Sequence, residues 1–554
     1  MKKLKIIIAI AFAIGFVSCS DSFLKERPLD FLSPENAFET DEDFDASVNN
    51  LYYLVRREYF NRDDLKPFDY LFGTDVIYDG EPQTSRHSNM SAAYDPTSNI
   101  PELHWNLLFK TISEANTIIS RLGASELTDE QKITIEAKAR FFRALSYRTL
   151  GYLYGGVPIT LEEVTEPKTD FVRASRQEVY EQAMVDLTFA ADHLPDIVDA
   201  RDGEVNAVAA LHLLSEVAVA AGAFEQAVEA ATAVIDNPAM ALMQERFGSR
   251  ASETPGDVYW DLFRRGNQNR SSGNTEAIWV IQFETNVLGG GGETNSFFGS
   301  FDLERIHPPL IRDMRIDGEA PFLWPIGDYT GGRGIGWGIS TVYFSDVIWQ
   351  SDFNNDIRNA NHNFVREYVG NNPNSSWYGK VISTQNPPAG ITVPSRSFYA
   401  YQSKATTPFN HPDELYANKE IYELKSTAGG TYTDQYMFRL AETYLLRAEA
   451  YLRLGNQANA AADINVVRGR SQASDVAPGD VTIDYILDER MRELGVEEKR
   501  RLTLMRLGLL YDRVVKHNPY YADQMEERFN LWPIPASEIE RNFSVVLEQN
   551  PGYN

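Results

Sequence analysis

Aromatic side chains with polar neighbours are concentrated in two stretches of the chain. A ring of Tyr or Trp offers a flat, rigid surface to the apolar C–H face of a pyranose at little conformational cost. Carboxylate, amide and guanidinium groups offer directional hydrogen bonds to the hydroxyls around the same ring. We therefore take both stretches as candidates for a ligand-binding surface. The candidate residues in the first stretch are Asp75, Tyr78, Arg86, Asn89 and Tyr94, and those in the second are Trp324, Tyr329 and Trp337.

The tryptophans are not equivalent as candidates. Trp105 and Trp279 lie in periodic apolar stretches, and Trp349 follows Val and Ile, so all three are predicted to be buried. Trp324 and Trp337 have proline or glycine beside them, which places them in loops. We therefore expect these two rings to contact the ligand.

Motifs that would indicate an enzyme or a metal site are missing from the sequence. It contains neither a Gly-x-Ser-x-Gly nucleophile elbow nor a His-Glu-x-x-His zinc helix. Asp352-x-Asn354-x-Asp356 begins like a calcium loop but has Ile357 at position six and Asn363 at position twelve, so it fails as an EF-hand. We predict no metal site and no cofactor, with a single calcium contact as an alternative. The 79 acidic residues leave room for the carboxylate pair of a glycoside hydrolase.

The N-terminus has the pattern of an export signal. Three lysines precede the uncharged run 6–16, which is too short to anchor a protein by spanning a bilayer. The run leads into Phe16-Val17-Ser18-Cys19, and Cys19 is the only cysteine of the chain. This pattern predicts that residues 1–18 are removed and that Cys19 carries a lipid anchor. An ordinary signal peptide followed by an incidental cysteine is the alternative.

The chain carries a formal charge of −27. So acidic a protein is repelled by nucleic acid and by anionic lipid surfaces, which makes both poor candidates as partners.

Helical periodicity divides the chain into a scaffold and an insertion. Helices are expected over about 34–240 and 434–520, with one helix starting at Thr128, where Gln131 completes a capping box. Two alanine-rich helix pairs, 207–236 and 439–470, turn at Gly222 and Gly455 and resemble stacking tetratricopeptide hairpins. The region 254–433 is rich in Gly, Asn and aromatics. The predicted fold is mainly α, with a tetratricopeptide-like scaffold and a large insertion of loops and short strands.

Several charged residues lie on apolar helices of this scaffold and must be paired if they are buried. We predict a structural role for Arg439, Glu442, Arg447, Glu449, Glu489, Arg490 and Glu493.

Four segments, in order, resemble the SusD/RagB family of surface nutrient-binding lipoproteins. The match runs through most of the chain. The segments are Glu136–Tyr147 with Leu153–Pro158, Tyr436–Ala450 with Asn465–Arg468, Ile486–Leu494 with Arg500–Arg506, and Leu531–Pro535 with Gln549–Tyr553. One departure is Thr503-Leu504-Met505, where the family usually has an aromatic-rich stretch.

The resemblance implies a single unit over residues 19–554, with a ligand-binding insertion at about 254–433 and a C-terminal tail at 521–554. It implies a lipid-anchored protein at the cell surface, which binds a nutrient glycan without cleaving it. The glycan would pass to a SusC-like, TonB-dependent transporter in the outer membrane. Family members commonly build their ligand site from the two stretches described above. Oligopeptides are the alternative ligand, and a purely scaffolding role is the third possibility.

Overall fold

The computed structural model describes residues 38, 40–61, 66–81, 87–287, 290–292, 301–426, 428, 430 and 433–553. The predicted signal segment, Cys19 and Arg86 lie outside the described residues.

Helices dominate the described part of the chain, as predicted. Eleven of them have seven residues or more and form the scaffold: α1 Asp41–Tyr59, α2 Asn99–Leu122, α3 Asp129–Tyr154, α4 Arg176–His193, α5 Ala207–Ala221, α6 Phe224–Ile235, α7 Leu440–Arg453, α8 Gln457–Arg470, α9 Ile483–Glu493, α10 Arg500–Arg506 and α11 Leu510–His517. Shorter helical segments are Lys66–Asp69, Met90–Ala93, Val258–Leu262, Leu303–Ile306, Val342–Ser345 and Ala536–Arg541.

The start of α3 confirms the predicted capping box. The Gln131 backbone N–H donates to Thr128 Oγ1 over 3.3 Å, and the Thr128 N–H donates to Gln131 Oε1 over 3.0 Å. These bonds satisfy two donors that a helix start otherwise leaves unpaired. Gly155, with φ +76°, ends the helix.

The two predicted helix pairs are α5–α6 and α7–α8. Gly222 and Gly455 form their turns with φ of +78° and +76°, a left-handed conformation that favours glycine. Although more than 200 residues separate the pairs in sequence, α6 packs against α7. Ala218, Ala227 and Ala450 lie in one buried cluster between them. Small side chains let the backbones approach closely, so the pairs stack as predicted.

Short strands connect the remaining segments in two-stranded ribbons. β1 pairs with β5, and β2 pairs with β12, so that both ribbons join distant parts of the chain. The strands are β1 Ile77–Asp79, β2 Ala277–Ile281, β3 Glu284–Thr285, β4 Gly291–Gly292, β5 Gly338–Ser340, β6 Phe364–Val365, β7 Glu367–Val369, β8 Val381–Ser383, β9 Tyr401–Gln402, β10 Tyr416–Asn418, β11 Glu423–Leu424 and β12 Gln435–Arg439.

The insertion has a core of its own beside the main core of the scaffold. Its buried side chains include Ile311, Phe322, Ile339, Tyr368 and Phe398. Trp105, Trp279 and Trp349 are buried in the main core, as predicted. The irregular middle of the chain is therefore a packed layer.

Glu493 at the end of α9 is the centre of a buried charge network. Its carboxylate accepts hydrogen bonds from Arg358 Nη1 over 3.0 Å, from Arg439 Nη1 and from Arg470 Nη2. All four side chains are fully buried. Arg358 belongs to the insertion and the other three residues to the scaffold and its adjoining strand, so one carboxylate connects the two parts of the fold.

The predicted pairing of charged side chains is confirmed across these helices. Glu442 pairs with Arg490, Arg447 with Asp463, and Glu449 with Arg506. A buried charge is tolerated because its partner and its hydrogen bonds replace the lost water.

Glu489 makes a second such centre, with Arg358 at 2.8 Å, Arg468 at 2.8 Å and Arg492 at 2.7 Å. Burial by itself raises the pKa of Glu489, but the three guanidinium groups outweigh it and lower the pKa to about 2. Its ordinary pKa is 4.5. The carboxylate therefore stabilises the fold above pH 4.5, and this contribution is lost as the pH falls towards 2.

We expect Glu489→Gln to destabilise the protein by about 3–5 kcal/mol at pH 7, because it breaks a buried pair and leaves cationic side chains uncompensated. The difference in melting temperature between wild type and variant should shrink as the pH falls from 4.5 to 2. Thermal denaturation followed by circular dichroism across this range measures it. Glu540→Gln, at an exposed position, is the matched control and should change little. A difference that stays constant with pH would contradict the assignment.

Candidate functional site

The β1–β5 ribbon brings the two predicted stretches together. Tyr78 lies opposite Ile339, and beyond the ribbon the Gly80 N–H donates to the Trp337 carbonyl over 2.8 Å. Side chains two residues apart on a strand project from the same face. Trp337 immediately precedes β5 and is two residues from Ile339, so continued strand alternation places its side chain towards the same face as Tyr78. Both side chains pack against the main core.

Close backbone contact at this point requires glycine. A Cβ atom on Gly80 would lie 1.9 Å from the Gly336 carbonyl oxygen. A Cβ atom on Gly336, whose φ is +62°, would lie 2.2 Å from the Arg396 carbonyl oxygen. Three segments therefore meet at a distance that a larger residue would prevent.

Tyr520 adds a third ring that was not predicted from the sequence. It stacks on Tyr78 with ring centroids 4.5 Å apart and planes inclined by 24°. Its side chain is 38% exposed, whereas Tyr78 and Trp337 are half-buried. The adjacent Tyr521 is buried, and its hydroxyl oxygen accepts the Asp79 N–H over 3.2 Å. We call Tyr78, Trp337 and Tyr520 the aromatic platform.

Both phenols of the platform stay neutral at neutral pH. Burial raises the pKa of Tyr78, and Tyr520 adds to the rise. Burial also raises the pKa of Tyr520, together with the charge of Asp79. A neutral hydroxyl can donate as well as accept, which suits a ligand with many hydroxyls.

An ion pair lies beside the platform. Arg396 Nη1 contacts Glu81 Oε1, and Arg396 Nε donates to the Ile335 carbonyl over 2.9 Å. Both charged side chains are only partly buried. Glu81 follows Gly80 in sequence, and the backbone of Arg396 lies against Gly336. They offer a donor and an acceptor at the edge of the rings.

Asp75 fixes the position of the chain just before β1, the strand that carries Tyr78. Its carboxylate accepts Arg500 Nε and Nη2, both over 2.8 Å, and Arg513 Nε over 2.9 Å. Although burial acts to raise it, the two guanidinium groups bring the pKa of Asp75 well below its usual range. Asp75 was predicted to contact the ligand. Its complete burial leaves it no surface at which a ligand could do so, and it positions β1 instead.

Tyr94 is also a core residue. Its ring stacks on Trp532 at 5.6 Å, with the Arg501 guanidinium 4.9 Å from its centroid. Trp532 is itself buried, and its backbone N–H donates to the Leu153 carbonyl over 2.6 Å, which ties the C-terminal tail to the end of α3. Asn89 is exposed, and its Oδ1 caps the helix Met90–Ala93 by accepting the Ala92 N–H over 3.0 Å. Of the first predicted stretch, only Tyr78 thus reaches the platform within the described residues.

Trp324 and Tyr329 lie among other side chains of the insertion. The Trp324 ring is contacted by the guanidinium groups of Arg312 and Arg333, 4.4 and 5.3 Å from its centroid. The Tyr329 ring meets Phe409 edge to face at 5.7 Å. These contacts engage both rings within the insertion, and like Trp337 both rings are half-buried. Their contact with the ligand stays a prediction.

The carboxylates of the incomplete calcium loop have protein partners. Asp352 Oδ2 pairs with Arg468 and Asp356 Oδ2 with Arg358, each over 2.7 Å. Among the described residues, no group of His, Cys, Asp and Glu is arranged to hold a metal ion. Across the same residues, no helix has the length and apolar character needed to span a membrane.

Comparison with protein families gives two matches. Residues 326–553 match the model described as the SusD family. Residues 29–219 match the model described as "Starch-binding associating with outer membrane".

Individual relatives agree with these matches over the whole chain. SusD-like protein P2 of Formosa agariphila is 26% identical over 580 residues, covering 100% of both chains. The solved structure of a laminarin-binding SusD-like protein has a TM-score of 0.67 and 21% identity, covering 93% of this chain and 100% of its own. The structure of surface glycan-binding protein A of Bacteroides thetaiotaomicron, in complex with laminarihexaose, has a TM-score of 0.66 and 19% identity. The match covers 92% of this chain and 99% of that protein. At these identities the two structures establish a common fold.

Proposed function

The chain belongs to the SusD/RagB family, and from this premise we propose that it binds a glycan at the outer membrane without cleaving it. The aromatic platform is the observation that carries the proposal. Tyr520 and Tyr78 offer stacked rings, Trp337 extends the same surface, and Arg396 with Glu81 supplies hydrogen-bonding groups at its edge. This is the combination that an apolar sugar face and its hydroxyls require.

The relatives support a carbohydrate as the ligand. One structural neighbour is described as laminarin-binding and another holds laminarihexaose. One family model that matches the chain is described as starch-binding. We therefore take neutral glucans as the first ligands to test, with oligopeptides as the alternative ligand class.

A binding role without catalysis fits the charged groups beside the platform. A glycoside hydrolase needs two free carboxyl groups on either side of the scissile bond. Here Glu81 is held by Arg396, and Asp79 is buried and accepts the Glu81 N–H over 2.8 Å. Both carboxylates are thus engaged in positioning the chain. Release of shorter sugars from a bound glucan would contradict this part of the proposal.

We further propose that the glycan passes to a SusC-like, TonB-dependent transporter, and an exposed apolar patch supports a protein partner. Hydrogen bonds hold the tail segment 542–546 against the loop 159–172, including Ser544 N–H to Thr169 O over 3.0 Å. The apolar side chains of this patch are exposed, with Phe543 at 80% and Val546 at 81%. Contiguous apolar patches on a soluble surface commonly mark an interface. The patch comprises Leu161, Val164, Val172, Phe543, Val545 and Val546.

The charges around this patch indicate what kind of surface it fits. Glu162, Glu166 and Asp170 are exposed beside it, on the loop that lines a groove of about 810 Å³. An acidic rim repels anionic lipid and favours an apolar protein surface bordered by basic side chains. We assign this role to the transporter.

The aromatic platform can be tested by truncating two of its rings. We expect Tyr520→Ala and Trp337→Ala each to weaken glycan binding about 30-fold, because loss of a central aromatic anchor costs about 2 kcal/mol. Isothermal titration calorimetry with laminarin oligosaccharides and a wider glycan panel measures the loss, and a peptide library tests the alternative ligand.

Tyr378→Ala is the matched control for the platform variants, since Tyr378 is a more exposed tyrosine at 60% and lies outside the platform. It should retain wild-type affinity. Unchanged affinity in both platform variants, with melting temperatures like that of wild type, would remove these rings from the site.

Anchoring through Cys19 at the cell surface completes the proposal, since a lipid holds the protein beside its transporter. We expect Cys19→Ala to move the protein from the membrane fraction to the soluble fraction, as judged by fractionation and immunoblotting. Ser22→Ala, three residues further on, should leave it in the membrane fraction. Membrane retention of the Cys19→Ala variant would contradict lipid anchoring there.

The exposed apolar patch leads to a separate prediction about binding to the transporter. Burying a Phe or Val side chain contributes about 1.5–3 kcal/mol, so Phe543→Asp with Val546→Asp should lower co-purification of the TonB-dependent transporter at least about tenfold. Affinity purification from outer membranes with identification of the transporter by peptide mass measures this. Val198→Asp, at another exposed valine, is the control. Undiminished co-purification, or a loss of self-association in its place, would overturn the assignment.

A further inference from the structure

A second concave surface lies in the insertion. It is a cavity of about 530 Å³ between the helix Val342–Ser345 and the segment 384–394. Its walls are formed by Ser340, Val342, Ser345, Asp346, Thr384, Pro387, Ile391, Thr392, Val393, Pro394, Tyr399 and Ala400. This volume lies within the range of pockets that bind small molecules.

The cavity is connected to the aromatic platform through the β1–β5 ribbon. Ser340 of β5 lies in its wall, and Ser340 follows Ile339, the residue opposite Tyr78. Because neighbouring residues of a strand project to opposite faces, Ser340 lies on the reverse face from Trp337 and Tyr78. The segment that carries Thr392 continues to Arg396, whose partner Glu81 lies beside the platform.

An unsatisfied hydroxyl points to a polar ligand in the cavity. Ser340 is 2% exposed, and its Oγ has no hydrogen-bond partner among the described residues. A buried polar atom is normally paired, since leaving it unpaired costs about 1–3 kcal/mol. A ligand hydroxyl in the cavity would supply the missing hydrogen bond.

The rest of the wall combines hydroxyls with aliphatic surfaces. Thr384 and Thr392 offer donors and acceptors, while Val342, Ile391 and Val393 offer C–H surfaces. Tyr399 is engaged elsewhere, because its hydroxyl donates to the His307 carbonyl. The cavity thus suits a small hydroxylated ring that is held by hydrogen bonds and aliphatic contacts.

Charge selects among such ligands. Asp346 is the one charged residue among the described residues of the wall. Its Oδ2 accepts the Ser345 hydroxyl over 2.5 Å, and its Oδ1 lies 4.0 Å from the nearest guanidinium nitrogen, Arg366 Nε. Arg366 is buried and is not part of the wall. A carboxylate at the wall accepts hydrogen bonds from hydroxyls and repels uronic acids and sulfated sugars.

We propose that this cavity is a second carbohydrate subsite, which holds a neutral sugar unit of the glycan whose main contact is the aromatic platform. The inference rests on the proposed glycan-binding function. A ligand that reaches both faces of the ribbon would gain affinity from two linked contacts.

The subsite is tested separately from the platform in a Trp337→Ala/Tyr520→Ala variant, by saturation-transfer NMR with neutral monosaccharides and with glucuronate. Neutral sugars should receive saturation from this variant, and glucuronate should not. Adding Thr392→Trp, at an exposed position of the wall, should abolish the signal by filling the cavity. Adding Gln385→Trp, exposed and outside the wall, should leave it unchanged.

A second variant, Asp346→Asn, keeps the size of the side chain and should weaken the signal from neutral sugars while admitting glucuronate. The inference is overturned if neutral sugars give no signal, if the signal survives Thr392→Trp, or if glucuronate binds equally well to the platform-deficient protein. Calorimetry of the platform variants is independent of these outcomes. A negative NMR result therefore overturns the subsite without affecting the aromatic platform. The role of the platform is tested by calorimetry alone.

Discussion

Buried arginines must be paired with carboxylates, and this requirement fixes how distant parts of the chain meet. Asp75, which precedes β1, forms ion pairs with Arg500 and Arg513, which lie on helices more than 400 residues later in the chain. Glu493 forms ion pairs with Arg358 of the insertion and with Arg470 of the scaffold. An unpaired guanidinium in the core would cost several kcal/mol, so alternative arrangements of these segments are strongly disfavoured.

The aromatic platform depends on this pairing. Arg500 and Arg513 hold Asp75, and Asp75 lies two residues before β1, so the ion pairs fix the edge from which Tyr78 projects. Tyr520 comes from the same C-terminal region. This region is held beside β1 because Asn518, two residues before Tyr520, donates from Nδ2 to the Thr74 carbonyl over 2.6 Å. Close backbone contact at Gly80 and Gly336 then sets the position of Trp337. Three segments that are remote in sequence thus share one rigid support, which lowers the entropic cost of ordering a binding surface.

The three surfaces proposed to bind partners differ in chemistry in ways that fit their proposed roles. The platform offers rings with hydrogen-bonding groups at the edge, whereas the cavity offers hydroxyls, aliphatic walls and one carboxylate. The patch of Phe543 and Val546 is apolar with an acidic rim. Rings and hydroxyls recognise a polyhydroxylated ligand, while an extended apolar surface recognises another protein. The net charge of −27 adds repulsion of anionic ligands and surfaces at long range.

The sequence by itself determined the local elements and the family. The capping box at Thr128, the glycine turns of the two helix pairs and the burial of Trp105, Trp279 and Trp349 follow from neighbouring residues, whose spacing sets capping and periodicity. Tertiary structure alone decided which candidates are exposed at the aromatic platform. Asp75 and Tyr94 share the composition of a binding loop with Tyr78, but ion pairing and stacking bury the first two. Tyr520 joined the platform through a contact across more than 400 residues. Side-chain chemistry and spacing are encoded locally, whereas exposure depends on which distant segments pack against each residue.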